Sequence, residues 1–210
     1  MVHPKSQPIG AADAENKKAS TGHQNPVRLF KIHSDLGMTM PSTTNGEPRA
    51  IQPAQFKDGM RRLAASVTIV ATEYEGTRYG LASTSVISVT ADPPVLAVCV
   101  NHSASAHDPI VSAGCFTVNI LDTCDKEIAE LFGSSTNRSI RFSTRDWSSL
   151  TTGAPGLSGA LVCFDCRISQ IISVSSHTLV FGEVVDIRTS GDQARPLLYW
   201  DRGYLTGAVV

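Results

Sequence analysis

The stretch Val95-Leu96-Ala97-Val98-Cys99-Val100 is apolar at every position, and few structures accept such a run. It is bounded by Asp92-Pro93-Pro94 before it and by Asn101-His102-Ser103 after it, so it is too short for an ordinary buried helix. It reads as a β-strand covered on both faces, or close to it. Such a strand must lie inside a sheet. Upstream, Gly80 and Leu81 lead into the small and hydroxylated run Ala82-Ser83-Thr84-Ser85, and the alternating, β-branched Val86–Thr90 supplies a neighbouring strand. Downstream, Asn101 to Ser105 is again rich in hydroxyl and amide groups. Asp108-Pro109 then reads as an N-cap with proline at the first helical position of a short helix that Gly114 ends. Two polar clusters therefore stand at the ends of neighbouring buried strands, where a phosphate and the polar edge of a ring can be held with few charges.

The remaining chain repeats the pattern of short strands and turns. Phe56, Met60, Leu63 and Ala64 recur at helical spacing, which predicts an amphipathic helix from Pro53 to about Ala65. Val67–Thr72 reads as a strand, Glu75-Gly76-Thr77 as a hairpin turn and Arg78–Leu81 as the returning strand. Cys115–Leu121 is a further strand. Asp122 or Thr123 caps a helix over Asp125–Phe132, with Ile128, Leu131 and Phe132 facing inward. A polar connection, 134–153, holds Arg138, Arg141, Phe142, Arg145 and Trp147, and Pro155-Gly156 marks a turn. Strands follow over 160–172, 178–189, 197–199 and, last, 204–207. Many short strands with two or three helices argue for a mainly β fold, a closed or nearly closed barrel with peripheral helices.

Composition sets the outer limits. The chain has 210 residues, 41% of them apolar, enough for one domain with a proper core. Residues 1–50 are polar and poor in aromatics, so they read as an N-terminal extension without a core of its own; 51–210 form the domain. A net charge of −1 offers no basic surface for nucleic acid or anionic lipid, and no apolar stretch is long enough for a membrane helix. Five cysteines without framework spacing suggest free thiols and a reducing, cytoplasmic setting.

The common nucleotide and hydrolase motifs are missing: no Gly-x-Gly-x-x-Gly opening a helix, no P-loop lysine, no Gly-x-Ser-x-Gly elbow. Cys163 and Cys166 spell a C-x-x-C, but strand positions three apart point to opposite faces, so these read as structural thiols. His102 and His107, near Asp108, lack a third ligand and fit no common face, so no metal is expected. His177 sits at a loop-to-strand junction behind Ser175-Ser176. It reads either as a turn histidine bonded to a hydroxyl or as a functional group. Arg141-Phe142 suits contact with a phosphate or a ring, and equally a surface arginine beside an aromatic anchor.

Taken in order, FKDGMRRLAASVTIVAT, YGLASTSVISVTADPPVLAVCVNHSAS, GCFTVNIL, the helix ending in LFG, RF at 141–142, GLSGALVCFDCRI, SSHTLVFGEVVDI and PLLYWDRGYL resemble the flavin reductase family with the split-barrel FMN-binding fold. The resemblance runs over about 54–207. It implies a split β-barrel and a homodimeric enzyme passing hydride from NADH or NADPH to FMN or FAD. Reduced flavin in such systems often goes to a separate monooxygenase. By position it implies that Ala82, Ser83, Thr84 and Ser85 border the isoalloxazine ring and ribityl chain. Asn101, His102, Ser103 and Ser105 hold ribityl and phosphate groups, and Arg141 and Phe142 come near the flavin, the phosphate being one contact. His177, with the loop before Tyr204, lies on the nicotinamide side. Two departures stand out: Ser175-Ser176 replaces the family's usual Gly-Asp, and Ser66 replaces a glycine. They keep open an alternative, a flavin-binding protein or a flavin-retaining oxidoreductase with another acceptor.

Overall fold

The computed structural model describes residues 50–136, 138–191 and 195–206. The extension expected over 1–50 lies outside them, Ala50 apart. Twelve strands and three helices follow in chain order. They are α1 (Pro53–Met60), β1 (Ala65–Ser66), β2 (Thr68–Tyr74), β3 (Thr77–Ser83), β4 (Val86–Ala91), β5 (Pro94–Asn101), α2 (His107–Ala113) and β6 (Cys115–Ile120). Then come α3 (Lys126–Gly133), β7 (Trp147–Ser149), β8 (Pro155–Leu157), β9 (Val162–Val174), β10 (His177–Thr189), β11 (Leu197–Trp200) and β12 (Gly203–Thr206).

Seven strands form one antiparallel sheet in the order β3-β2-β6-β9-β10-β5-β4. The apolar run expected to be interior is β5, with Leu96, Ala97, Val98 and Val100 buried. Among the described residues the sheet does not close into a sealed barrel, because β3 and β4 are unpaired edges. They are nevertheless joined by only Thr84 and Ser85. Three Cα–Cα steps reach about 11 Å at most, so the sheet is rolled until its two edges face each other across that short connection.

Strand alternation builds two cores from single strands. On β2, Val70 packs with Phe116, Ile110 and Val180 on the side covered by α2, whereas Ile69 and Ala71 pack with Ile128, Phe132 and Leu197 on the side covered by α3. A buried amide links the layers' strands. Asn119 Nδ2 donates to the Ile69 carbonyl (3.0 Å) and Thr117 Oγ1 (2.9 Å), while its Oδ1 accepts from Leu157 N (2.8 Å) and Cys163 Sγ (3.0 Å). Cys163 and Cys166 are both unpaired thiols, and Cys166 lies in the α2-side core.

Three local expectations differ from the structure. The first helix stops at Met60, because Arg62 and Leu63 switch to bonds with residues three back before the chain enters β1. None of its residues is buried, and Phe56, Met60 and Leu63 are exposed. Helix α2 begins at His107, one residue before Asp108, whose Oδ1 bonds His107 Nδ1 at 2.7 Å instead of capping. Pro155-Gly156 is not a turn but part of β8, paired with Ser149 and Ser148. The turn falls at Thr151–Gly153, with Gly153 at φ 93. Gly156 is needed for closeness: a Cβ there would lie 2.8 Å from a Leu150 methyl.

Candidate functional site

The edge-to-edge connection is fixed from both sides. Thr68 Oγ1 on β2 donates to the Ser83 carbonyl at 2.8 Å, and Cys99 N–H on β5 donates to the Ser85 carbonyl at 3.1 Å. Ser85 N–H donates to Ser83 Oγ at 3.1 Å, which leaves the Ser83 hydroxyl proton for another acceptor. Across from Ala82 stands the end of α3, where a Cβ on Gly133 would come 3.9 Å from the Ala82 methyl. Ala82, Ser83, Thr84, Gly133, Ser134 and Tyr204 line a cavity of about 470 Å³. The Tyr204 ring meets Tyr199 edge-on at 5.5 Å, and burial, then the Glu130 and Tyr199 charges, push its phenol upward. Thr84 and Tyr199 also line a larger cleft of about 810 Å³ that runs between β1 and the start of β4.

A second group forms where β5 and β10 end together. Asn101 pairs with His177 in register. Asn101 Oδ1 accepts from both the Ser103 amide and the Ser103 hydroxyl, each at 2.8 Å, which fixes the orientation of its carboxamide. Its Nδ2 therefore faces His177 Nε2, at 3.4 Å, as donor. His177 Nδ1 then carries the proton and donates to Ser176 Oγ at 3.0 Å. Both imidazole nitrogens are thereby engaged. Ser175 holds the tight turn before it at φ 51, a left-handed conformation that a serine adopts with strain. His102 turns the other way. Its Nε2 and that of His107 both contact the buried Thr178 hydroxyl, at 3.0 and 2.8 Å.

A third group surrounds Arg141, which is only 6% exposed. Its Nη1 donates to the Gly80 carbonyl (2.8 Å), its Nε to Leu131 (3.3 Å) and its Nη2 to Ser134. Burial, then the Arg138 charge, pushes its pKa downward. Phe142 packs edge-on against Phe132 at 5.2 Å and against Trp147 at 4.9 Å. Arg141, Phe142, Arg138, Gly80 and Ser105 line a cavity of about 700 Å³.

The structure thus gathers the site residues expected from sequence into three neighbourhoods. Ala82, Ser83 and Thr84 share a cavity with Tyr204; Asn101, bonded to Ser103, meets His177; Ser105 shares a cavity with Arg141 and Phe142, while Ser85 lines the larger cleft and His102 bonds Thr178. Gly133-Ser134, Tyr199 and Arg138 were not expected from the sequence. The only sequence signal for the first pair was that LFG ends a helix, which does not say what the helix end faces.

Residues 60–208 match the family model described as flavin reductase like domain. The chain belongs to the flavin reductase family. It is 37% identical over 176 residues to FMN reductase (NADH) RutF of Pantoea ananatis, covering 82% of this chain and 92% of that protein. It is 42% identical over 149 residues to FMN reductase (NADH) RutF of Stutzerimonas stutzeri, covering 71% and 85%. Among solved structures, a homolog of nitrilotriacetate monooxygenase component B from Mycobacterium thermoresistibile superposes with a TM-score of 0.70. It is 28% identical over 74% of this chain and 86% of its own. The flavin reductase fold accounts for the rolled, unsealed sheet, and no helix among the described residues is long and apolar enough to cross a membrane.

Proposed function

We propose that this flavin reductase oxidises NADH and reduces FMN, releasing the reduced flavin to a partner monooxygenase. The observation that carries the reading is the cradle bounded by the end of β3, the end of α3 and the tyrosines of β11 and β12. Small residues, Ala82 and Gly133, approach each other closely in its lining, tyrosine rings bound one side, and the Ser83 hydroxyl proton is available. A flat, heteroaromatic ring with a polar edge fits that donor set. The names of the RutF relatives support FMN and NADH, and the monooxygenase-component neighbour supports the partner.

Bound flavin and nicotinamide supply the hydride chemistry, so no covalent step falls to the protein. What this chain contributes is position. Ala82 to Ser85 hold the ring by main-chain and hydroxyl contacts, a grip of modest strength suited to a ligand that leaves each turnover. His177, held at both nitrogens, orients the nicotinamide rather than delivering a proton. Ser176 gives that imidazole a hydroxyl partner where the family pattern has a carboxylate.

A homodimer belongs to the same proposal. Phe56, Met60 and Leu63 form an exposed apolar stripe at α1 and just beyond it, which a second copy would cover. Replacing Phe56 and Met60 together by glutamate is expected to halve the mass seen by light scattering; an unchanged mass removes α1 from the interface.

The deciding experiment follows NADH consumption spectrophotometrically with no flavin, with catalytic free FMN and with FAD. Turnover that depends on added FMN is expected. A protein that binds flavin yet shows no turnover with added flavin would refute the reductase assignment.

A further inference from the structure

The loop that leaves β5 is anchored near its start and at its end by one buried hydroxyl. Strand alternation puts Asn101 and His177 on one face of the β5–β10 pair, and Val100, His102 and Thr178 on the other. Thr178 is 3% exposed and lies beside Val100 of the α2-side core. Its Oγ1 stands 3.0 Å from His102 Nε2 and 2.8 Å from His107 Nε2, where α2 begins. A hydroxyl has one proton and two acceptor positions, so it serves both imidazoles at once. The two rings meet over it edge to face, their centres 4.9 Å apart.

Between those anchors the chain is a run of turns. Ala104 N–H donates to the Asn101 carbonyl at 3.0 Å, and His107 N–H donates to the Ala104 carbonyl at 2.9 Å. Ser103 bonds Asn101 Oδ1 through both its amide and its hydroxyl. The loop, tied within itself, is also tied to three consecutive residues where β10 begins. His102 N–H donates to the Ser176 carbonyl at 2.9 Å, Asn101 Nδ2 faces His177 Nε2 at 3.4 Å, and both histidines meet at Thr178. Thr178 faces away from His177 and spends its hydroxyl on the loop. What it fixes is the backbone on which His177 stands, held against both ends of the loop.

We infer that Thr178 is a positioning residue that couples the two ligands: a flavin phosphate seated on the loop at 101–105 steadies the strand end carrying His177, and so tightens the nicotinamide. The inference rests on the flavin reductase reading above and adds no contact to either ligand. A loop drawn onto a phosphate holds His102 and His107 in place, and through Thr178 it holds the start of β10. Less ordering of His177 is then left for the nicotinamide to impose. By linkage, the nicotinamide tightens the phosphate-bearing flavin by the same factor.

The test measures the affinities of FMN and of riboflavin, which lacks the phosphate, by quenching of flavin fluorescence on the full chain. Each is titrated with and without saturating NAD+, which has no hydride to give. Stacking of the nicotinamide on the flavin ring is common to both flavins and cancels. In the wild type, NAD+ is expected to tighten FMN about fivefold more than riboflavin. Thr178→Val removes the hydroxyl and is expected to shrink that excess below about 1.5-fold, and Thr178→Ser to restore it. An excess that came from direct contact between the two ligands, or a hydroxyl that only stabilised the fold, would leave the excess intact in Thr178→Val and overturn the inference. So would a wild type in which NAD+ favours neither flavin. Should Thr178→Val fail to fold, His107→Leu cuts the same link from the loop's side, and an excess that survives there refutes the coupling. Wild-type protein that binds neither flavin would instead refute the reductase reading itself.

Discussion

Gly182 on β10 is where the α2-side core closes, and replacing it by alanine should expose how little slack that core has. The added methyl would lie 2.6 Å from Phe116 Cζ, 2.9 Å from Phe116 Cε1 and 2.8 Å from Cys166 Cβ. Carbon atoms in comfortable contact stand about 3.5–4.0 Å apart, so a gap of about 1 Å has to open. Neither neighbour can yield outward, because Phe116 and Cys166 are both fully buried and are paired with each other across β6 and β9. Overpacking typically costs about 1–3 kcal/mol, and with contacts on two sides we expect about 3 kcal/mol here. The assay is equilibrium urea unfolding at one fixed protein concentration, since self-association couples stability to concentration. Phe116→Leu removes the ring atoms in the way, at an expected cost of its own of about 1–2 kcal/mol. In the double variant the new methyl occupies the vacated space, so the two changes should couple favourably by about 1 kcal/mol or more. A Gly182→Ala loss below about 0.5 kcal/mol, or strict additivity in the double variant, would refute the packing argument.

Three further outcomes are expected. His177→Ala should raise the apparent KM for NADH about fivefold to tenfold with flavin affinity unchanged; collapse of flavin binding with normal NADH kinetics would contradict its positioning role. Ser175→Gly should relieve the left-handed strain at φ 51, stabilising by about 1 kcal/mol and raising Tm by about 2–4 °C, and an unchanged or lower Tm would count against it. Burial pushes the Cys163 thiol from 9.0 up to about 12, with the Asp165 charge adding to it, and raises Cys166 by the same causes. The folded chain then holds protons that the unfolded chain releases. This contribution is complete below about pH 9 and is lost as pH rises toward about 12. Iodoacetamide on native protein should modify exposed Cys124 and spare Cys163 and Cys166, and equal labelling rates would sink the argument.

How much of this was legible in the sequence depended on the range of the signal. Glu75-Gly76 turned the chain where expected, both residues at positive φ, and Gly114 ended α2 at φ 69, because such requirements are met by the residue itself. Asp122 capped the turn leading into α3 for the same reason. The run Val67–Thr72 announced a strand but not that both of its faces would be covered. The stripe on α1 announced a face but not its cover, since periodicity says which residues lie together and nothing about what meets them. Gly156 was read as a turn because glycine serves two purposes, and only the Leu150 side chain above it tells them apart. The site followed the same rule. The hydroxyl clusters were visible as composition, whereas the inward turn of Arg141 depends on three carbonyls from residues ten and sixty-one positions away or just beyond a helix end.

The unsealed seam of the sheet carries one more consequence. Thr84 and Ser85 bridge two strands that each have a neighbour on one side only, so parting them breaks no interstrand ladder. A breathing motion confined to this seam can leave both cores intact, and its amides should exchange with solvent well before those of β6 or β9. A closed barrel would grip a flat ring at the expense of its exit. Under the proposed function, the place assigned to the ring is also the hinge through which it departs.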